Sequence, residues 1–163
     1  MFKQEKKLEI WAKSKTDVTY KHLLDYDICQ SSGELGPKGQ EGDGQVPEGF
    51  YSIDLFNPTS NYYLSMRVNY PNGSDAKKGK RPLGGAIMLH GNCVTIGCIP
   101  ITDDKIKELY ILCLESKSQG NTVKVESFPC KLTDENMKKL AESNSQEQLE
   151  FWQNLKTGYD LFE

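Results

Sequence analysis

The chain has 163 residues, a formal net charge of −3 and an isoelectric point near 5.5. That length suits one domain, residues 1–163, with a sizeable core, and the charge gives no electrostatic case for nucleic acid, which needs a basic stripe. No apolar run is long enough to span a membrane, and no apolar segment of a secretory leader follows Met1-Phe2-Lys3-Gln4-Glu5-Lys6-Lys7.

In chain order, Leu8 to Lys13 alternates apolar and polar side chains, as a half-buried strand does. Thr16-Asp17 reads as a turn and Val18 to Cys29 as the partner strand of a hairpin. Residues 31–49 are rich in Gly, Ser and Pro, a long loop of the kind that often carries function. Phe50 to Leu55 and Tyr62 to Val68 are strands, separated by a turn over Asn57-Pro58-Thr59-Ser60-Asn61. Residues 69–85 read as loop, with Pro71-Asn72-Gly73 as a turn. The basic group Lys77, Lys78, Lys80 and Arg81 in that loop reads as a solvated surface.

Ala86 to His90 is a short buried strand that delivers His90 to its end. Thr102 caps a helix whose first turn holds Asp103 and Asp104. Ile106, Leu109, Tyr110 and Cys113 recur at helical spacing and form its inward face. Thr122 to Pro129 is a strand. Thr133 opens a helix to about Ala141, and Gln146 to about Lys156 forms the last one, with Leu149, Trp152 and Leu155 inward. Strands early and helices late predict an α+β fold with an antiparallel or mixed sheet.

The segment from Ile87 to Ile99 carries the chemistry. An apolar run ends in His90-Gly91, and Thr95-Ile96-Gly97-Cys98 follows within one tight loop. A thiol is mostly protonated at neutral pH, and a neighbouring imidazole can take its proton. Cys98 is therefore the candidate nucleophile and His90 the candidate base. A buried structural cysteine is the plain alternative for Cys98, and the upstream His-Gly disfavours it. His22, the other histidine, suits an ordinary strand position. Gly97 leaves the Cys98 sulfur unshielded, and the Cys98 backbone N–H is a natural oxyanion donor, with Ile96 beside it. Thr95 either orders the loop or touches substrate, and Gly91 permits the bend after His90.

Five cysteines leave at least one thiol unpaired within the chain. Cys98 is taken as free, and Cys29, Cys93, Cys113 and Cys130 form either two bridges or none. Cys113 suits a core position and Cys93 loop packing. His90, Cys93 and Cys98 have ligand types that suit zinc, but their spacing matches no zinc ribbon and no fourth ligand is near. The reading therefore invokes no metal and no cofactor. Lys38, Tyr51 and Arg67 are weaker candidates for substrate contact, since Lys and Arg can meet a carboxylate. Asp43, between two glycines, fixes a turn.

His90-Gly91 followed by Thr95-x-Gly97-Cys98-Ile99 resembles the signature of YkuD-type L,D-transpeptidase catalytic domains. The commonest family form has Ser-His-Gly-Cys and a longer stretch between the first His and the Cys. The short loop here is similar to the YafK-like murein branch. Leu35-Gly36-Pro37-Lys38, Gly42 to Tyr51, Asn69-Tyr70-Pro71-Asn72 and Phe151 to Tyr159 also resemble that branch. The resemblance covers about residues 5–163.

It implies a β-sandwich with added, mostly C-terminal helices, and a backbone carbonyl as the group that orients His90. It also implies a cysteine-dependent acyl transfer on peptidoglycan stem peptides. Cys98 would attack the diamino-acid carbonyl next to the terminal D-Ala, and an amine would resolve the thioester. Water in place of the amine would make the protein a hydrolase, an L,D-carboxypeptidase or an enzyme that releases a wall-attached peptide or protein. A non-catalytic wall-binding module and a thiol redox or metal protein are the readings of other classes. The resemblance further implies an exported, periplasmic or envelope location, with the export signal removed from this chain and Met1 as a replacement start. Oligomeric state is not legible.

Overall fold

The alternation around Leu8 yields β1, Lys7–Ala12, which pairs antiparallel with β2, Lys21–Asp27. In the computed structural model, which describes residues 1–162, this hairpin lies apart from a five-stranded sheet. The second strand starts later than Val18 because Ser14 and Asp17 close the turn on each other. Asp17 N–H donates to the Ser14 carbonyl at 3.2 Å, and Ser14 N–H donates to the Asp17 carboxylate at 3.1 Å.

The large sheet has the order β6-β5-β4-β3-β7. Its members are β3, Gly49–Ser60; β4, Tyr63–Val68; β5, Met88–His90; β6, Ile99–Pro100; and β7, Lys124–Ser127. All pairs are antiparallel except β5 with β6. The turn expected at residues 57–61 is instead part of the ribbon. Ser60 pairs with Tyr63, so Asn61-Tyr62 makes the reversal, and the register shift between Asn57 and Ser60 accommodates Pro58, which has no N–H to give.

The loop expected over residues 69–85 contains a short helix, α1, Gly73–Lys78. Asn72 and Asp75 form its capping box, a sequence signal that a turn reading of Pro71-Asn72-Gly73 overlooks. The later helices fall where expected: α2, Asp103–Ser118; α3, Asp134–Ser143; and α4, Gln146–Tyr159. Thr133 and Ser145 cap α3 and α4 through their side chains, whereas Thr102 holds the cap position of α2 without such a bond. Ile106, Leu109, Tyr110 and Cys113 are the buried face of α2, as the spacing required.

One core lies between the hairpin, the sheet and α2, and unites Leu8, Tyr26, Ile53, Met66, Leu89, Ile99 and Ile106. The packing of hairpin on sheet gives the expected two-layer β architecture with helices added. A second cluster joins Phe2, Phe128 and Leu132 to Leu140, Trp152 and Leu155 of α3 and α4. Among the described residues no helix is long and apolar enough to cross a membrane.

The first core sets the pleat at the site. Leu89 and Ile99 are paired across β5 and β6, and both are buried in it. Burial of each contributes about 1.5–3 kcal/mol. Because side chains alternate along a strand, this anchors their neighbours His90 and Cys98 toward the other side, and a one-residue slip would reverse the arrangement.

Candidate active site

His90 ends β5, and Cys98 lies one residue before β6. The parallel register sets Leu89 against Ile99 and His90 against Pro100. The Met88 N–H reaches the Cys98 sulfur at 3.4 Å, which places the thiol two residues behind His90 on the neighbouring strand.

His90 is 2 % exposed. Its Nδ1 lies 2.5 Å from the Gly91 carbonyl oxygen. A carbonyl can only accept, so Nδ1 carries the proton and Nε2 keeps a bare lone pair. Burial pulls the His90 pKa below its ordinary 6.5, against the raising effect of the Gly91 bond. The imidazole is thus a neutral base with its tautomer fixed by the backbone.

Cys98 is half-buried. Burial raises its pKa above the ordinary 9.0, while the Met88 N–H and the charge of Lys38 act in the opposite direction. The resting thiol donates to the Ala86 carbonyl at 3.6 Å. Ala86 itself adopts φ +53°, unusual for a residue with a Cβ. The pair at rest is therefore thiol and imidazole, not thiolate and imidazolium.

The loop between them is tied at several points. Thr95 Oγ1 donates to the Cys98 carbonyl at 2.7 Å, so Thr95 orders the loop. Gly97 N–H donates to Ser32 Oγ at 2.7 Å, which leaves the Cys98 N–H as the oxyanion donor to consider. Gly97 has φ +95°, and a Cβ there would lie 3.1 Å from the Gln45 carbonyl oxygen. Gly91 is needed for space: a Cβ would lie 2.6 Å from Asp103 Oδ1 and 2.9 Å from the Tyr62 carbonyl oxygen. The positive φ after His90 falls on Asn92 (+59°), whose N–H is held by Asp103 at 2.7 Å. Ile96 is 85 % exposed at the loop crest.

The weaker candidates separate. Lys38 is buried, donates to the Gln40 carbonyl at 2.9 Å and to Asp43 at 2.5 Å, and its charge is felt at Cys98. Burial works to raise the Asp43 carboxyl, but Lys38 and the N–H groups of Gln40, Gln45 and Gly39 overcome it and hold the pKa at about 2. Tyr51 is buried, and its hydroxyl donates to the Glu48 carbonyl at 3.1 Å and to Asp75 at 3.0 Å. Arg67 is engaged by Asp54 through Nε at 2.8 Å and a second nitrogen at 3.2 Å.

One cysteine expectation is corrected. Cys29 and Cys93 form a disulfide, and Cys98, Cys113 and Cys130 are free thiols, so neither two bridges nor none describes the chain. A zinc site built on Cys93 loses that ligand, because its sulfur is already bonded.

Sequence reasoning also missed Ser32, Ala86 and Tyr62. No local signal marks the first two, since their partners are distant in sequence. The Tyr62 ring lies 4.8 Å from the His90 ring, centroid to centroid. Replacing Tyr62 with alanine is expected to admit water to His90 and raise its pKa. For His90 as the candidate base, the neutral imidazole is the form that accepts a proton, so the acid limb of the pH–rate profile should move to higher pH, while Tyr62→Phe leaves it in place. An unmoved limb in Tyr62→Ala would show that the ring does not shield His90.

The L,D-transpeptidase catalytic domain family, YkuD, matches residues 2–125. The chain is 39 % identical over 166 residues to the protein named "Putative L,D-transpeptidase YafK" of Escherichia coli K12, covering all of this chain and 65 % of that protein. The YafK protein of Escherichia coli O157:H7 matches with the same figures. The chain thus spans about two thirds of the length of these curated relatives. A similar solved structure is the helical cell shape determining protein Pgp2 of Campylobacter jejuni, with a TM-score of 0.64 and 20 % identity. That likeness covers 99 % of this chain and 68 % of Pgp2, and shows the fold. With a family match over three quarters of its residues and a likeness to YafK that spans the whole of this chain, the chain belongs to the L,D-transpeptidase catalytic domain family.

Proposed function

We propose that the protein performs cysteine-dependent acyl transfer on peptidoglycan stem peptides in the cell envelope. The observation that carries this reading is the Nδ1 bond of His90 to the Gly91 carbonyl, which leaves Nε2 bare on the strand beside Cys98. The family supplies the substrate class. The single domain over residues 1–163 belongs to the same proposal.

The thiol proton passes from Cys98 to His90 Nε2 as the sulfur turns away from the Ala86 carbonyl. The thiolate attacks the carbonyl carbon preceding the terminal D-Ala, and the developing oxyanion meets the Cys98 N–H. The carbon–nitrogen bond breaks, His90 returns its proton to the departing D-Ala amine, and a thioester remains. An amine then attacks the thioester, gives up a proton to His90 and restores the thiol. Water in the amine's place gives hydrolysis by the same acyl-enzyme.

Lys38 is the group we assign to a donor carboxylate. Like Arg67 and Tyr51 it has a protein partner, Asp43, but it is the one of the three whose charge acts on the Cys98 thiol. A carboxylate arriving there shares the ammonium with Asp43. Thr95, Gly97 and Ile96 belong to the loop that leads into Cys98.

The test is intact-mass spectrometry of wild type and Cys98→Ala with a disaccharide tetrapeptide and a D-amino acid. A Cys98-dependent adduct and an exchanged D-amino acid are expected. An adduct followed only by shortened peptide would mean hydrolysis. No adduct, with products unaffected by Cys98→Ala, would defeat the reading.

A further inference from the structure

The loop from Gly91 to Gly97 joins His90 to Cys98, and a second segment, residues 29–45, is fastened to it. The Cys29–Cys93 bridge joins the two across 64 residues of sequence. Cys93 lies three residues after His90 and five before Cys98. On the same side, the Cys29 N–H donates to the Pro100 carbonyl at 3.1 Å. Ser32, three residues further on, accepts from Gly97 N–H at 2.7 Å and donates to the Gly44 carbonyl at 2.8 Å.

The loop itself is polar-poor and open. Asn92, Cys93 and Val94 are exposed, Ile96 is nearly bare, and Asn92 and Gly97 both take positive φ. Apolar packing does little to hold such a segment, so its conformation depends on its tethers. One tether is covalent, and the others are single hydrogen bonds, each a net contribution of about 0.5–1.5 kcal/mol.

We propose that the Cys29–Cys93 disulfide positions the loop between His90 and Cys98, so that the site is competent only while this bridge is closed. Cys29 and Cys93 are then positioning residues that act through Cys98. Opening the bridge needs a dithiol reductant. Two electrons and two protons pass from it, the S–S bond becomes two thiols, and the dithiol becomes a disulfide. Cys98 is already a thiol, so the same reductant leaves the nucleophile unchanged. A chain held in a reducing compartment would carry its nucleophile but not its geometry, and would gain activity on entering an oxidising one.

The activity arm of this proposal rests on the acyl-transfer reading, and its thiol-accessibility arm does not. Cys113 and Cys130 are buried in the two cores and serve as internal reporters of global unfolding. The experiment compares oxidised wild type, dithiothreitol-reduced wild type and Cys29→Ser/Cys93→Ser. It follows iodoacetamide labelling of Cys98, Cys113 and Cys130 by peptide mass, and thioester formation with a tetrapeptide donor.

In both open forms Cys98 is expected to label about tenfold faster as the loop loosens, with Cys113 and Cys130 still protected. Acyl transfer should fall by about 10–100-fold, the scale of a misplaced reacting group, and recover on reoxidation. Equal Cys98 labelling in oxidised and reduced protein would overturn the proposal. So would simultaneous exposure of Cys113 and Cys130, which would make the bridge a global brace. If oxidised protein forms no thioester, the acyl-transfer reading fails, and the labelling comparison still decides the role of the bridge. If the double variant does not fold, the reduced wild type carries the comparison.

Discussion

His90→Asn is expected to slow thioester formation at pH 7 by about 10²–10⁴-fold, the usual contribution of a general base. The asparagine amide can still donate to the Gly91 carbonyl, the bond that now holds Nδ1 at 2.5 Å. What disappears is Nε2. The variant must then rely on spontaneous ionisation of a thiol whose pKa lies above the ordinary 9.0 because it is buried. Even at that ordinary value, about one thiol in a hundred is ionised at pH 7. The rate should therefore climb with pH through the alkaline range, where wild type stays flat. Stopped reactions read by intact mass between pH 6 and 10 check both the loss and the changed slope. A variant within threefold of wild type at pH 7 would remove His90 from the mechanism.

The second large effect is structural. Glu48→Ala should cost about 3–5 kcal/mol, the range for removing one member of a buried ion pair. Glu48 Oε1 accepts from Lys3 Nζ at 2.9 Å and from Gly36 N–H at 2.7 Å, and Oε2 accepts from Trp152 Nε1 at 2.7 Å. Lys3 also donates to the carbonyls of Glu34, Gly36 and Val46. Both side chains are buried, so the variant strands an ammonium in the interior. At about 2–4 °C per kcal/mol for a chain of this size, the melting temperature should fall by roughly 6–20 °C. A fall under 2 °C would mean that water reaches Lys3. The network matters to function because it pins both ends of residues 34–48, the segment that presents Lys38 and Asp43.

The sequence marked Cys98 and His90 as the candidate pair because both lie in one short stretch, where a strand end and glycines leave a local mark. It carried α2 and the two late helices for the same reason, since caps and spacing are local. It did not carry what closes over the site. The partners of Cys93, Gly97 and His90 are Cys29, Ser32 and Tyr62, and no pattern along the chain links them. Tyr51 and Arg67 illustrate the converse. Their side-chain chemistry suited a substrate, but Asp75 and Asp54 engage them, and which carboxylate reaches which cation or hydroxyl depends on the folded register. The helix α1 was within reach, because Asn72 and Asp75 stand at capping-box spacing.

The strand that follows Cys98 is the edge of its sheet. An edge normally offers a row of unpaired N–H and C=O groups to which a second chain can add. β6 is two residues long, its second residue is a proline without an N–H, and the Cys29 N–H already occupies that proline's carbonyl. Another copy of the protein would find no ladder to extend there. The sheet thus ends beside the Cys98 sulfur in a form that resists intermolecular strand pairing, and high local protein concentration should not turn that edge into a seed for aggregation.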